Sequence, residues 1–204
     1  MLLRARHSRP ARPAPPTTDS PPPRPTPQDL KAAAGRSIPD VVAPGLDVLF
    51  CGINPSLWSG AVGLHFARPG NRFWKVLHGA GFTPEVLEAW EEERFAGCGF
   101  GITNLVNRAT AAASELSREE LVAGARRLEA TAGHWGPRFV AVVGMQAYRT
   151  AFARPKARIG RQPEAIAGSV LWLLPNPSGL QATYQLPDLV AAFRELRLAA
   201  SGPA

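Results

Sequence analysis

The chain has 204 residues, of which 45% are hydrophobic and 19% are charged, and its formal net charge is +7. This length predicts one domain with a sizeable core. The two cysteines, Cys51 and Cys98, are too few for a disulfide framework or a cysteine-rich zinc site, and no segment has the roughly 20 consecutive apolar residues of a membrane span. The composition therefore excludes a disulfide-stapled scaffold and a helical membrane protein, and we expect no metal site.

The first 36 residues differ in composition from the rest of the chain. They hold seven of the 23 basic residues against only two acidic ones, and the run Pro21–Pro23 opposes a helix because proline lacks an amide hydrogen. We predict that residues 1–44 form a disordered, basic, proline-rich arm that contacts phosphates, with a tail of no function as the alternative. The N-terminus lacks the apolar stretch of a secretory signal, so we expect a cytoplasmic protein.

From residue 45 onward, short apolar segments alternate with longer segments of helical periodicity. Segments rich in β-branched or aromatic residues predict strands at Leu46–Cys51, Gly99–Leu105, Arg138–Val143 and Val170–Leu174. Helices are predicted near Pro69–Ala80, Pro84–Arg94, Ser117–Ala132, Met145–Ala153 and Pro187–Ala199, with a capping box of Ser117 and Glu120. This alternation predicts an α/β fold, a three-layer α-β-α sandwich with a short, mainly parallel central sheet, in one domain at residues 45–200.

The same tripeptide, Asn-Pro-Ser, follows the first and the last predicted strand, at Asn54–Ser56 and Asn176–Ser178. The carboxyl ends of parallel strands meet at one edge of a sheet, so both loops should face one crevice. Proline keeps the preceding residue extended, so each asparagine should project from a stiff stalk, where its neutral amide can both donate and accept hydrogen bonds. Two copies at matched strand ends favour a binding site over two ordinary turns.

Three segments carry a specific resemblance. In this order and spacing, Phe50–Pro55, Phe66–Trp74 and Leu174–Leu180 resemble the mismatch-specific uracil-DNA and thymine-DNA glycosylases, a family of the uracil-DNA glycosylase superfamily. The resemblance spans residues 44–199. It implies an enzyme that flips uracil out of double-stranded DNA, above all from U·G mismatches, and hydrolyses the N-glycosidic bond to leave an abasic site for base excision repair.

The resemblance also implies roles for the first two segments. Asn54 would be the catalytic residue that holds the attacking water, and backbone amides after Ile53 would stabilise the departing uracil anion. Because asparagine is not a titratable base, the bond must be largely broken, with oxocarbenium character on the sugar, before water adds. Phe66 would stack on the flipped base after a flexible segment at residues 60–63, and Ser59 would lie near the C5 edge of the base.

The third segment implies contacts with the duplex. Asn176 would hold the target nucleotide, and Gly179 with Leu180 would form a wedge that fills the space left by the flipped base. The sequence departs from the family at two positions. Ala182 stands where bacterial relatives have an arginine that supports the wedge, which leaves the opposite base open. Ser56 stands where glycine is common, and only a positive φ would forbid this change.

Other polar residues near these segments are interpreted as structural. We interpret Glu91–Glu93 as a solvated helix face, with a carboxylate such as Glu93 assisting Asn54 as the alternative. Asn71 and Arg72 should bond the loop above them, with a phosphate contact as the alternative. Trp172 should be a core residue.

The expected partner is duplex DNA with a mismatched or damaged base, bound by a monomer that needs no cofactor and is associated with the nucleoid through this binding. Three alternatives stay open: a glycosylase for thymine in T·G or for deaminated or alkylated bases, a DNA-binding protein without turnover, and a non-catalytic α/β nucleotide-binding module. The intact Asn54 argues against the second, and the lack of a glycine-rich phosphate loop argues against the third.

Overall fold

The computed structural model of the protein describes residues 20–179 and 183–202. The strands of this part of the chain are β1 (Val48–Gly52), β2 (Phe100–Asn104), β3 (Phe139–Val143), β4 (Gly160–Ile166) and β5 (Ser169–Leu174). Its α-helices are α1 (Pro27–Ala32), α2 (Leu57–Val62), α3 (Phe73–Gly79), α4 (Glu92–Gly97), α5 (Arg118–Trp135), α6 (Met145–Ala151) and α7 (Leu186–Ser201). Among these helices, none has the length and apolar character needed to cross a bilayer.

The five strands form one sheet in the order β2-β1-β3-β5-β4. Four of them run parallel, and β4 lies antiparallel to β5 at the edge. The parallel strands therefore end at one edge of the sheet, with Gly52 opposite Asn104 and Val143 opposite Leu174. This register places the loops that follow β1, β2, β3 and β5 side by side.

Each face of the sheet buries its own core, because successive side chains of a strand point to opposite faces. In β1, Val48 and Phe50 join a core with α3, α4 and α7, whereas Leu49 and Cys51 join a core with α5 and α6. The first core is aromatic, and the ring of Phe50 packs against those of Phe73, Phe82, Phe95 and Phe193. The predicted three-layer α-β-α sandwich with a mainly parallel sheet is confirmed.

The predicted elements differ most from the structure around residues 57–97. The helix predicted from Pro69 begins at Phe73, after a turn in which the Asn71 side-chain oxygen accepts from the Phe73 amide at 3.0 Å. The helix predicted at Pro84–Arg94 is wrong, since only a 3-10 turn at Ala89–Glu91 precedes α4. By contrast, α5 begins after the predicted capping box of Ser117 and Glu120.

Besides α1, two further elements, α2 and β4, were not predicted. Residues 60–62, predicted to be flexible, belong to α2, whose N-cap Ser56 accepts from the Ser59 amide at 3.1 Å. The small Gly60 lets this helix pack closely, since a Cβ at this position would lie 2.7 Å from the Ala109 methyl carbon. The edge strand β4 was missed because polar and exposed residues such as Arg161 and Pro163 give it little apolar signal.

The prediction of a disordered arm as far as residue 44 is wrong for residues 26–44. Thr26 and Asp29 form a capping box at the start of α1, and Ala33, Ile38 and Ala43 are almost fully buried. Val41 exchanges two backbone hydrogen bonds of 2.8 Å with Ile102 of β2. The proline-rich composition of the first residues concealed these apolar positions. Ala43 belongs to the core with α5 and α6, and Val41 packs against the core with α3, α4 and α7. Residues 1–19 of the predicted arm lie outside the described residues.

Candidate active site

A cavity of about 290 Å³ opens at the carboxyl edge of the parallel strands. Residues at or just after the ends of β1, β2, β3 and β5 all contribute to its wall. The predicted catalytic and base-pocket residues line this one cavity: Ile53, Asn54, Ser59, Phe66 and Asn176. The fold therefore brings the two Asn-Pro-Ser loops to a common space, as their positions after parallel strands predicted.

The side-chain amide of Asn54 is held in one orientation. Its nitrogen donates to the Thr110 hydroxyl at 2.7 Å and to the carbonyl oxygens of Pro55 and Arg108, both at 3.1 Å. The Thr110 hydroxyl donates its own hydrogen to the Ala112 carbonyl at 2.8 Å, so it can only accept from Asn54. With its nitrogen committed, Asn54 offers the cavity its carbonyl oxygen, which is an acceptor.

Asn176 has the opposite arrangement. Its side-chain oxygen accepts from the Ser178 amide at 2.9 Å, which closes a turn within the loop. The amide nitrogen, a donor of two hydrogens, is then the group left to face a ligand. Sequence reasoning expected each asparagine to present a donor and an acceptor, and the structure corrects this: the tripeptides present opposite polarities.

Phe66 has a left-handed backbone conformation, with a φ of 52°, which is unusual for an aromatic residue. Both neighbouring amides are bound by side chains, since His65 donates to Glu92 at 3.1 Å and Ala67 donates to the Ser59 hydroxyl at 3.3 Å. The Phe66 ring is stacked on Phe73, with centroids 3.8 Å apart, and also lines the cavity. These contacts maintain the strained turn and position an aromatic ring in the wall of the pocket.

Ser59 and Ser56 are linked. The Ser56 hydroxyl donates to that of Ser59 at 3.2 Å, and Ser59 is 2% exposed. Ser56 has a φ of −69°, so the replacement of the family's common glycine imposes no backbone strain. This agrees with the expectation that serine is tolerated here.

A pair of buried polar residues, Asn104 and His65, was missed by sequence reasoning. The Nε2 atom of His65 lies 2.9 Å from the Pro39 carbonyl, so this nitrogen carries the hydrogen, and Nδ1 accepts from the Asn104 amide nitrogen at 3.3 Å. Burial lowers the pKa of His65, which favours the neutral ring that this arrangement requires. The Asn104 oxygen is directed toward Gly52, where an added Cβ would lie 2.6 Å from it. Both residues line the cavity.

The acidic run has a more specific role than a solvated face. Glu91 bonds to Arg94 and to the Glu88 amide, and Glu93 is exposed, whereas Glu92 accepts from the His65 amide. Burial raises the pKa of Glu92 to about 7. Among the described residues that line the cavity there is no carboxylate, and Arg68 is the charged member of that set. Neither Glu92 nor Glu93 belongs to the described lining of the cavity that Asn54 faces.

The loop after β5 is fixed from below by Arg72. Its guanidinium donates to the carbonyl oxygens of Pro177, Ser178 and Tyr184 at 2.7 to 3.2 Å, as the structural interpretation of this arginine expected. Gly179 lies against the Gly70 turn, and a Cβ at Gly179 would be 2.5 Å from the Gly70 oxygen. The predicted wedge residue Leu180 and its neighbour Ala182 lie outside the described residues.

The core position predicted at Trp172 is confirmed. Trp74, Val76 and Leu77 of α3 are almost fully buried, as is Trp172 of β5. Asn54, Asn176 and their supports therefore rest on a rigid sheet and its helices.

Two comparisons with known proteins agree with this architecture. A family model described as the uracil DNA glycosylase superfamily matches residues 39–197. The fold is similar to the solution NMR structure of a candidate uracil DNA glycosylase from Methanosarcina acetivorans, with a TM-score of 0.54 and 20% identity, over 80% of this chain and 98% of that chain. At this identity the second comparison shows the fold alone. Since the family model covers most of the chain, including both loops, the protein belongs to the uracil DNA glycosylase superfamily.

Proposed function

We propose that the protein is a monofunctional DNA glycosylase of the mismatch-specific type, which flips uracil from U·G pairs in duplex DNA and hydrolyses its N-glycosidic bond. The observation that carries this proposal is the fixed amide of Asn54, whose nitrogen is bound by three acceptors of the protein. Membership of the superfamily supports DNA glycosylase activity, a DNA substrate and a role in base excision repair. We further propose that a monomer carries out the reaction.

Asn54 would act as a holder of water. Its carbonyl oxygen accepts a hydrogen from the water and directs a lone pair of the water oxygen toward the sugar. Because asparagine does not titrate and the described cavity lining contains no carboxylate, the water cannot be deprotonated in advance. The glycosidic bond therefore breaks first, and water captures a sugar with oxocarbenium character.

Uracil departs as an anion, so the pocket must supply hydrogen-bond donors. The Asn176 amide nitrogen and the Ser59 hydroxyl are candidates in the cavity wall, together with backbone amides after Ile53. Phe66 would stack on the base, a contact worth about 1 to 3 kcal/mol. Gly179 and Leu180 would supply the wedge that replaces the flipped base in the stack.

The Asn104 oxygen supports discrimination between bases. Uracil presents an N–H at ring position 3, which this acceptor can bind, whereas cytosine has a lone pair there and would be repelled. Thymine carries the same N–H, so this contact does not separate uracil from thymine. The C5 edge, where Ser59 is expected, would decide between them.

The direct test uses duplexes that carry one U·G, U·A, T·G or hypoxanthine pair, followed by alkaline cleavage of abasic sites. We expect scission on U·G after alkali and none without it, since a monofunctional enzyme leaves the backbone intact. Asn54→Ala at the same concentration is the control for a contaminating activity. An absence of scission on U·G would refute the proposal, and stronger cleavage of T·G or hypoxanthine would favour the broader base specificity.

A further inference from the structure

A cationic surface lies outside the cavity. The segment between α6 and the start of β4 carries Arg154, Lys156, Arg158 and Arg161, all exposed. They surround a shallow cavity of about 460 Å³ whose walls come from residues 154–164. Glu164 is the acidic residue of this wall, and it pairs with Arg154 at 2.9 Å. Within the described part of the chain, Lys156, Arg158 and Arg161 form no ion pair, so their charges are available to a partner.

We call residues 154–161 the basic loop, and its backbone is held in place by side-chain hydrogen bonds. Arg149 donates twice to the Ala157 carbonyl, at 2.8 and 3.1 Å, and the Gln162 amide donates to the carbonyl oxygens of Arg158 and Gly160, both at 2.8 Å. Side chains thus satisfy three carbonyl groups of the turn, those of Ala157, Arg158 and Gly160. A loop ordered before binding loses little conformational entropy when it meets a ligand.

The position of the loop relates it to the active site. Because β4 is antiparallel to β5, its first residues lie at the edge where the parallel strands end, with Gly160 opposite Leu173 and Arg161 opposite Trp172. The basic loop is therefore beside the loop at residues 175–179. Three strand spacings of roughly 4.8 Å separate β4 from β1, which places the basic loop about 14 Å from the Asn54 loop.

We propose that Lys156, Arg158 and Arg161 bind DNA backbone phosphates about four base pairs from the flipped nucleotide, since base pairs are stacked every 3.4 Å or so. This inference rests on the proposed function and identifies how the duplex is aligned over the cavity. The strongly anionic and regularly spaced phosphates match three unpaired cations on a fixed loop. The contact is independent of sequence, and it sets the register of the duplex over Asn54 and the wedge.

The test measures equilibrium binding to a duplex with a tetrahydrofuran abasic site opposite guanine, because this probe does not depend on which base is excised. Lys156→Gln combined with Arg158→Gln should weaken Kd about tenfold at low salt and reduce the slope of log Kd against log salt by about 1.8. Arg126→Gln with Arg194→Gln removes the same charge from α5 and α7 and should leave the slope unchanged. Lys156→Arg with Arg158→Lys keeps the charge and should retain wild-type binding.

Duplex length provides a second measurement. The duplex is shortened to two base pairs on each side of the abasic site in turn. On the side that the basic loop contacts, this should weaken binding by the wild type more than binding by the Gln double variant. On the other side it should weaken binding by both proteins equally. Equal salt slopes in wild type and the Gln double variant, or equal responses to both truncations, would overturn the inference. Base release from U·G by the Gln double variant at saturating enzyme should match wild type, so a failure of this proposal is separate from a failure of the proposed glycosylase activity.

Discussion

The two Asn-Pro-Ser loops are identical in sequence and opposite in use. At residues 54–56 the asparagine nitrogen is bound by three acceptors, which leaves an oxygen for the cavity. At residues 176–178 the asparagine oxygen is bound by the Ser178 amide, which leaves a nitrogen. The first serine caps a helix, whereas the second offers its carbonyl to Arg72. A short motif therefore fixes where an amide lies, and its neighbours fix which end of the amide faces a ligand.

The difference divides the proposed chemistry between the loops. An acceptor suits a water that must be oriented toward an electron-poor sugar, and a donor suits an anionic base or a phosphate oxygen. The anchors differ as well. The Phe66 turn depends on Glu92, whose charge changes with pH, and the loop after β5 depends on Arg72, which donates to its carbonyl oxygens.

Removal of the Asn54 side chain should have the largest effect. Asn54→Ala removes the acceptor that orients water, so we expect the single-turnover rate on a U·G duplex to fall by about 10² to 10³. Binding to abasic DNA should change by less than about threefold, because the duplex contacts are made elsewhere. An equal loss of rate and of abasic-site binding would show that Asn54 is structural, and the two loops would no longer have separate roles.

Loosening the support of Asn54 should have a smaller effect on the same step. Thr110→Val keeps a similar side-chain volume but removes the hydroxyl that accepts from the Asn54 nitrogen at 2.7 Å, the shortest of its three hydrogen bonds. We expect the single-turnover rate to fall by about tenfold with little change in Kd. Thr110→Ser retains the hydroxyl and should restore the rate. If Val and Ser variants react equally fast, the fixed orientation of the amide is not needed for cleavage.

Exchanging amide for carboxylate tests the opposite polarities directly. Asn176→Asp keeps an oxygen for the Ser178 amide but loses the donor, so we expect the Tm to be retained and the Kd for the substrate duplex to weaken by about fivefold. Asn54→Asp, the matched change, places a carboxylate against the oxygens of Pro55 and Arg108 and should lower the Tm at pH 7. A greater loss of Tm in Asn176→Asp than in Asn54→Asp would reverse the assignment.

The smallest predicted effect is a dependence of Tm on pH, and it concerns only the Phe66 turn, where Glu92 binds the His65 amide. The pKa of Glu92 is raised to about 7, above the ordinary value of 4.5, so the folded state favours the proton and loses stability as pH rises through this window. Glu92→Gln keeps an acceptor for the His65 amide and cannot ionise. Its Tm relative to wild type should increase by a few degrees between pH 5 and 8.

Burial lowers the pKa of His65 in wild type and in Glu92→Gln alike, so His65 does not contribute to the Tm difference between these two proteins. A Tm difference that does not change with pH would contradict the placement of Glu92 in the anchor of the Phe66 turn. Arg72→Lys, which alters the support of the loop after β5 instead, should give a Tm difference from wild type that stays constant between pH 5 and 8, because both proteins keep Glu92 and its contact with the His65 amide.

Much of the fold and of the candidate cavity could be predicted from local signals. The apolar strands and the capping box of Ser117 depend on a few adjacent residues, and parallel strands of this kind place both Asn-Pro-Ser loops at one edge. The edge strand β4 and the packed segment at residues 26–44 escaped prediction because their backbone pairing depends on distant partners such as Trp172 and Ile102.

By itself, the sequence determined the layer architecture and the placement of both Asn-Pro-Ser loops at one cavity, because periodicity and turn chemistry act over short stretches of chain. Only the tertiary structure decided the polarity of Asn54, since two of its three partners lie at residues 108 and 110. It also decided the neutral tautomer of His65 and the orientation of Asn104, which depend on Pro39. A hydrogen-bond direction is a property of two groups in space, and a motif names only one of them.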